Sequence, residues 1–286
     1  MIQKRLVLIA CAAMIACSSP TDMSDEIGLA SEAVSESQGE TAQDTLDRRL
    51  AAEAEPFRFA DNQGDGENAL RDFDYSWPRQ VSAIPELAAA FEQDLQTQLT
   101  DQKRRWEETK EYCPEDFISC RRDTFSLTWE VIADTPRFLS LSSSFSTYTG
   151  GAHGNYGRTS TVWDREGKAQ LEPLQLFQSV AVLEAALGKP ACAALNTERA
   201  KRRGAPVLPD PGDWSSACVA MEDTVLFLGS STGKSFDRIG VYYGPYVAGA
   251  YAEGAFEFTL PVTQSVIEAA KPDYKAAFAI APRAGA

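Results

Sequence analysis

The sequence predicts an α+β protein with mostly antiparallel sheets and packed helices, divided into two consecutive subdomains. Three observations predict this fold class. One long stretch carries apolar residues at helical spacing, runs with alternating apolar residues follow it directly, and helical and strand-like runs then recur without regular alternation. We expect an N-terminal subdomain at residues 68–163 and a C-terminal subdomain at residues 164–282.

In the N-terminal subdomain, alternating aromatic residues at Leu70–Trp77 predict a half-buried strand. A helix is expected to begin at Pro85, because proline is tolerated in the first helical turn, and to end near Lys110. Its apolar residues recur every four positions, as one buried face requires. Three strands are predicted after it, at Phe125–Val131, Leu139–Phe145 and Tyr156–Trp163.

The C-terminal subdomain should begin with a hairpin turn at Arg165–Gly167, which leads into a short strand. Two helices follow, Leu174–Leu183 and Ala191–Arg202, because Gly188 and Pro190 are expected to interrupt a single helix. The strands predicted beyond a proline-rich loop are Thr224–Leu228, Arg238–Tyr243, Val247–Tyr251 and Phe256–Leu260, and the closing helix is Pro261–Ala270.

Residues 1–16 are typical of a lipoprotein signal peptide, with basic Lys4 and Arg5 before a short apolar run. The small residue before Cys17 resembles a lipobox, so we expect Cys17 to carry the lipid anchor. Cleavage at Cys11 would leave too short an apolar core, and a plain secretory signal is the remaining alternative. Because Ser18 rather than an aspartate follows, the expected location is the periplasmic face of the outer membrane.

An acidic stretch separates this signal peptide from the folded part. Residues 17–67 are rich in Ser, Glu, Asp and Ala, a composition that is typical of a disordered tether. The whole chain has a formal net charge of -14. This charge argues against nucleic acid as a partner, because no basic stripe is present to neutralise phosphates. It favours a basic partner or none.

Four cysteines remain in the folded part of a chain that we expect to be exported, where disulfides persist. Of the three possible pairings we predict the nearest-neighbour one, Cys113 with Cys120 and Cys192 with Cys218. A zinc site is a weaker alternative, because the chain has no C-x-x-C pair and only one histidine. We therefore expect no metal and no other cofactor.

The single histidine, His153, lies in the glycine-rich stretch between two predicted strands. It has three interpretations: a turn histidine bonded to a backbone carbonyl, a ligand contact, or a general base oriented by Asp164 or Glu166. Neighbouring residues give the candidate ligand-binding set, which is Tyr148, Gly150, Gly151, His153 and Tyr156. Tyr148, Tyr156 and Trp163 fit a sugar-binding surface or, at strand spacing, the core.

Two further motif matches have simpler explanations. Gly229–Gly233 fits the G-x-S-x-G pattern of hydrolases, but the segment behind it reads as a strand where a nucleophile elbow needs a helix. Gly233-Lys234-Ser235 resembles the end of a P-loop, yet the first glycine and the following helix are missing. Both patterns indicate a hairpin loop, and no nucleotide ligand is expected.

Two separate segments resemble motifs of one family of bacterial envelope proteins. Tyr148 to Gly154, with Leu171 to Phe177 after it, is similar to the family's Y-x-G-G-A-H and L-x-L-x-D-L-F segments. Val241 to Gly254, followed by Phe258 to Pro261, is similar to its F-x-x-Y-x-I-A-x-Y-A-x-G and I-P segments. The family includes the extracellular part of the lysozyme-sensing anti-sigma factor RsiV and the N-terminal domain of the peptidoglycan deacetylase PdaC.

The resemblance spans about residues 72–270, with departures at Gln175, where an acid is usual, and Ala250, where proline is common. It implies a two-part module, PdaC-like and then RsiV-like, that binds something in the cell envelope. A lysozyme-type muramidase is the first expected ligand, because such enzymes are basic, and peptidoglycan is the second. The alternative is an envelope hydrolase or deacetylase with His153 as its base. The sequence shows neither a sigma-binding segment nor a catalytic deacetylase domain, so neither activity is carried over.

Overall fold

A computed structural model describes residues 53–64, 71–114, 117–208, 210 and 212–280. The predicted signal peptide, the expected lipidation site Cys17 and the part of the predicted tether up to residue 52 lie outside the described residues. Within the described ranges, no helix combines the length and the apolar character that crossing a membrane requires.

The first half of the fold is a six-stranded sheet whose strands follow one another in chain order. Every neighbouring pair is antiparallel except β2 and β3, which run parallel. A parallel pair needs a crossover connection, and the long helix between these two strands supplies it. The strands are β1 Phe57–Ala60, β2 Arg71–Trp77, β3 Asp123–Asp134, β4 Phe138–Tyr148, β5 Asn155–Asp164 and β6 Ala169–Leu171.

The crossover begins with the short helix α1, Arg79–Ser82, and continues as α2, Pro85–Tyr112. Leu87, Phe91 and Leu95 on α2 are buried against the aromatic side chains of β2. Their spacing of four residues places them on one face of the helix, as the sequence predicts. The helix ends where Cys113 enters the first disulfide.

The second half contains a three-stranded antiparallel sheet in the order β7–β8–β9, with two helices packed on it. Its core also includes Phe138 and Val162 from the opposite face of the six-stranded sheet. One large sheet therefore separates two cores, and the α+β class with two consecutive parts is confirmed. The elements are α3 Val180–Arg203, β7 Val225–Gly229, β8 Arg238–Tyr243, β9 Phe256–Pro261 and α4 Gln264–Ala269, with 3₁₀ turns at Pro173–Leu176, Met221–Asp223, Tyr251–Glu253 and Pro272–Ala277.

Two sequence-based boundaries and one predicted strand are wrong. The folded part begins before residue 68, because β1 lies inside the predicted tether and pairs with β2. The first sheet continues past residue 163 through β6. The expected strand Val247–Tyr251 is instead a turn and a 3₁₀ helix, since Tyr246 takes a φ of 69° and the Val247 amide bonds back to the Gly244 carbonyl at 3.1 Å.

The predicted break at Gly188 and Pro190 is also wrong, because α3 runs through both residues. A proline inside a helix costs about 3 kcal/mol. Against this, Leu183, Leu187 and Leu195 are fully buried on one face of the continuous helix, and each such burial contributes about 1.5–3 kcal/mol. Burial of these leucines in the second core therefore outweighs the tendency of Pro190 to interrupt the helix.

Candidate functional site

The turn between β4 and β5 has a backbone that requires glycine. Gly150 and Gly151 have φ angles of 90° and 95°, which residues other than glycine rarely adopt. A Cβ on Gly154 would lie 2.6 Å from the carbonyl oxygen of Thr147, which is a steric clash. The Tyr148 hydroxyl closes the turn by donating to the Gly151 carbonyl at 3.0 Å. The conformation of the turn that carries His153 is therefore fixed by its glycines and by Tyr148.

His153 is exposed at the tip of this turn, with its Nδ1 atom 2.9 Å from the carbonyl oxygen of Gly154. Its ring stacks on Tyr251, with the centroids 3.9 Å apart and the planes inclined by 19°. Asp164 stands at the other end of β5, roughly 30 Å from the turn at about 3.3 Å per residue. It pairs with Arg137 at 2.7 Å, and Glu166 lies 3.2 Å from the same guanidinium. The two carboxylates considered from sequence therefore do not orient the imidazole.

Tyr251 brings the two motif-bearing segments together. Its hydroxyl donates to the Gly154 carbonyl at 2.7 Å across 97 positions of sequence. A second hydrogen bond joins the same two segments, because the Ala255 amide donates to the Tyr156 hydroxyl at 3.3 Å. Tyr246 completes the group, with its ring centroid 5.4 Å from that of Tyr251. We name His153, Tyr156, Tyr246 and Tyr251 the aromatic patch.

The rings of the aromatic patch are well placed to contact another molecule. Tyr156 is 41% exposed and Tyr246 is 57% exposed. The hydroxyls of Tyr156 and Tyr251 are engaged with backbone groups, so these rings are held in position before any ligand arrives. Pre-ordered aromatic surfaces bind with a smaller loss of conformational entropy than mobile ones.

Paired charges border the aromatic patch. Arg203 bonds both carboxylate oxygens of Glu253, at 2.6 and 2.8 Å, and this hydrogen bonding holds the pKa of Glu253 below its usual range. Arg202 donates to the carbonyl of Glu253. On the other side, Arg158 pairs with Glu257 at 2.7 Å. Each border carboxylate thus has its own arginine.

The two predicted disulfides are confirmed, and each secures a loop beside the aromatic patch. Cys113 and Cys120 have Cα atoms 5.8 Å apart, and those of Cys192 and Cys218 are 5.2 Å apart. The first loop packs under the glycine turn, because a Cβ on Gly150 would lie 3.3 Å from the Ser119 carbonyl oxygen. The second is held by Arg203, which donates to the Ser215 carbonyl at 2.9 Å. These loops expose Phe117, Ile118 and Trp214.

Arg199 supports the aromatic patch from inside the fold, and its role was not predicted from the sequence. Its guanidinium is buried and donates twice to the Ala248 carbonyl, at 2.9 and 2.8 Å, and once to that of Ala217, at 2.9 Å. It therefore joins α3 to the segment that carries Tyr246 and Tyr251, and to the second disulfide loop. Burial lowers the pKa of this guanidinium. A sequence clue existed, since Arg199 lies four residues after Leu195 on the apolar face of α3.

The other sequence candidates take structural roles. The segment Gly229–Gly233 is the loop of the antiparallel β7–β8 hairpin, where the Ser231 hydroxyl donates to Asp237. Trp163 is buried in the first core and is not part of an exposed surface. In the ranges that the structure describes, no three His, Cys, Asp or Glu side chains gather in a way that could hold a metal ion.

Comparison with known proteins supports the resemblance over the first part of the chain. Residues 65–156 match the family model described as deacetylase PdaC. This match covers β2, α2, β3, β4 and the glycine turn. The resemblance to a PdaC-like domain is thereby confirmed for that part. A comparison with curated proteins gives no match.

Solved structures of two DUF3298 family proteins are also similar to the chain. The one from Pseudomonas aeruginosa PAO1 is 18% identical, with a TM-score of 0.46, and the alignment covers 78% of this chain and 97% of that one. The one from Bacteroides fragilis is 16% identical, with a TM-score of 0.44, and the alignment covers 73% and 90% of the two chains.

Proposed function

We propose that the protein is a lipid-anchored binding module of the cell envelope and that its aromatic patch binds a protein partner. The observation that carries this proposal is the set of exposed, mutually packed rings at the point where the two motif-bearing segments meet. In this proposal, the lipid on Cys17 and the acidic tether hold the module at the periplasmic face of the outer membrane.

The surface around the aromatic patch has the character of a protein-binding site. Tyrosine and tryptophan are enriched among the residues that dominate binding energies at protein interfaces. Tyr246 and Trp214 are more than half exposed, and apolar Phe117 and Ile118 are exposed on the loop that the Cys113–Cys120 disulfide closes. A rigid rim of this kind would bind with little rearrangement.

A basic muramidase of the lysozyme type is the partner we favour. The net charge of -14 would attract a basic protein over long range and raise its association rate. Peptidoglycan is the second candidate, because sugar rings also stack on exposed aromatic side chains. Its own negative charge makes it a poorer match to this chain.

A pull-down can test this proposal and separate the two ligands. The full chain in detergent would be incubated with lysozyme and, separately, with peptidoglycan sacculi. Tyr246→Asn removes a ring while keeping a residue type that tolerates a positive φ, and Ile280→Asn is the control at a similarly exposed position. We expect lysozyme to be retained by the wild type and by Ile280→Asn, and lost with Tyr246→Asn. Retention of neither ligand by the wild type would refute the proposal.

The alternative is a hydrolase or deacetylase that uses His153 as a base. The observation in its favour is that the imidazole is exposed and has only its Nδ1 atom beside a carbonyl. Replacing His153 by Asn would abolish such an activity on sacculi and leave the melting temperature nearly unchanged. A binding module would show no turnover before or after this substitution.

A further inference from the structure

A cleft of about 410 Å³ opens between helix α2 and the six-stranded sheet. Its volume falls within the range of about 300–1,000 Å³ that small-molecule sites occupy. The lining includes Phe91, Asp94, Gln98, Trp129, Thr159 and Gln170. This set combines aromatic rings with uncharged polar groups and one carboxylate, and none of its members belongs to the aromatic patch.

Two aromatic rings form one wall of the cleft. The centroids of Phe91 and Trp129 are 4.7 Å apart, with the planes inclined by 40°. The indole nitrogen of Trp129 donates to the Tyr75 hydroxyl at 3.2 Å, which fixes the orientation of the ring. Trp129 is only partly buried, so a ring that is held in place also remains accessible.

The carboxylate of Asp94 is positioned by two donors. The Tyr75 hydroxyl donates to one of its oxygens at 2.7 Å, and the Gln98 amide donates to the other at 3.2 Å. Burial raises the pKa of Tyr75, so this hydroxyl keeps its proton and remains a donor. A carboxylate has about four acceptor positions, and these two bonds use only half of them. Asp94 can therefore accept further hydrogen bonds from a molecule in the cleft.

The floor of the cleft continues past α2 onto the open part of the sheet. Trp129 faces Ser143 across β3 and β4, and Ser143 faces Thr159 across β4 and β5. The hydroxyl oxygens of Ser143 and Thr159 are 2.6 Å apart, and Gln170 lies exposed on β6. Side chains on one face of a sheet line up across the strands. Ser143 is fully buried and holds the hydroxyl of Thr159 in place, so Thr159 and Gln170 present a hydroxyl and an amide group beside the aromatic wall.

We propose that this cleft is a binding site for an uncharged oligosaccharide. The indole would cover the apolar face of a sugar ring, and the carboxylate, amide and hydroxyl groups would bond to the sugar hydroxyls. The single charge in the lining is negative, which disfavours an anionic ligand. This site does not depend on the proposed function of the aromatic patch.

Titration of the full chain with chitotetraose and cellotetraose tests the proposal, since the two sugars differ in their acetamido groups. Ala90→Trp would fill the mouth of the cleft, and Ala89→Trp is its control on the neighbouring exposed position of α2. We expect the wild type and Ala89→Trp to bind at least one sugar. We expect Ala90→Trp to weaken that binding at least tenfold. Binding of neither sugar, or equal binding by both variants, would overturn the proposal.

A second pair of variants tests the polar contacts. Asp94→Asn should weaken sugar binding by about tenfold, because a hydrogen bond to a charged group contributes more than one to a neutral group. Gln98→Ala should weaken it as well, whereas Gln96→Ala, on the opposite face of the same helix, should not. Lysozyme binding should be unchanged in all of these variants. Loss of sugar binding in Tyr246→Asn instead would place the sugar at the aromatic patch and refute the cleft assignment.

Discussion

Replacing Arg199 by methionine should destabilise the protein and loosen the segment that carries Tyr246 and Tyr251. Methionine retains most of the length and the apolar volume of the side chain but donates no hydrogen bonds. The carbonyls of Ala248 and Ala217, which the guanidinium satisfies, would lose these donors inside the fold.

The magnitude follows from these two carbonyl groups. A buried acceptor that loses its partner costs about 1–3 kcal/mol; the Ala248 carbonyl is buried and that of Ala217 only partly so, and the pair gives about 2–5 kcal/mol. The guanidinium itself is costly to bury, as the lowered pKa of Arg199 indicates. Its removal recovers part of the loss, and a net destabilisation of about 2–4 kcal/mol is expected.

Urea denaturation is the appropriate assay, because the midpoint concentration reports stability directly. If the free energy of unfolding falls by about 2–3 kcal/mol per molar urea, the midpoint urea concentration should fall by about 1 M or more. Lys201→Met is the matched control, because Lys201 is exposed on the same helix and pairs with Glu198, three residues away on the surface. Its midpoint should barely move. If Arg199→Met were as stable as the control, Arg199 would not be the link between α3 and the aromatic patch.

Three further outcomes are expected from the fold. Gly154→Ala should cost about 1–3 kcal/mol in urea denaturation, because its Cβ would meet a backbone carbonyl at 2.6 Å, whereas Gly244→Ala meets only ordinary contacts and should be neutral. Replacing both Cys192 and Cys218 by serine should remove about 3–4 kcal/mol and lower the melting temperature by roughly 10 °C in calorimetry; an unchanged melting temperature would contradict this. The pKa of Glu253 is depressed in the folded state, so its stabilising contribution is complete above its ordinary value of 4.5 and disappears as the pH falls through the folded pKa. The stability gap between the wild type and Glu253→Gln should therefore stay constant above the ordinary pKa of 4.5 and narrow steadily as the pH falls below it, and a gap that does not narrow would show that the ion pair is not responsible.

Periodic segments were predictable from the sequence. Helix α2 and strands β3, β4 and β5 were predicted because each buries one face at a regular spacing, and burial of that face outweighs local detail. Strand β1 was missed because it is short and follows an acidic stretch of low complexity. Pairing with β2 gives it structure, and that pairing is a contact the local sequence does not encode.

In the candidate site, too, contacts between distant parts of the chain could not be predicted from the local sequence. The glycine turn follows from the local sequence, whereas the sequence leaves Tyr156 open between an exposed surface and the core. The stacking of His153 on Tyr251 does not follow from the local sequence, because these residues are far apart in the chain and meet only when the two halves pack together. The positive φ of Tyr246 is likewise absent from the prediction, which placed a strand directly after this residue.

The dissociation constant for lysozyme, measured by calorimetric titration of the full chain, tests the central claim most directly. It would be determined for the wild type, Tyr246→Asn and Ile280→Asn at about 0.05 and 0.3 M salt, where electrostatic steering differs. The aromatic patch predicts binding by the wild type and the control, a modest weakening with salt, and at least a tenfold weakening in Tyr246→Asn at both salt concentrations. Equal binding by Tyr246→Asn and the wild type, or no binding by the wild type, would contradict it.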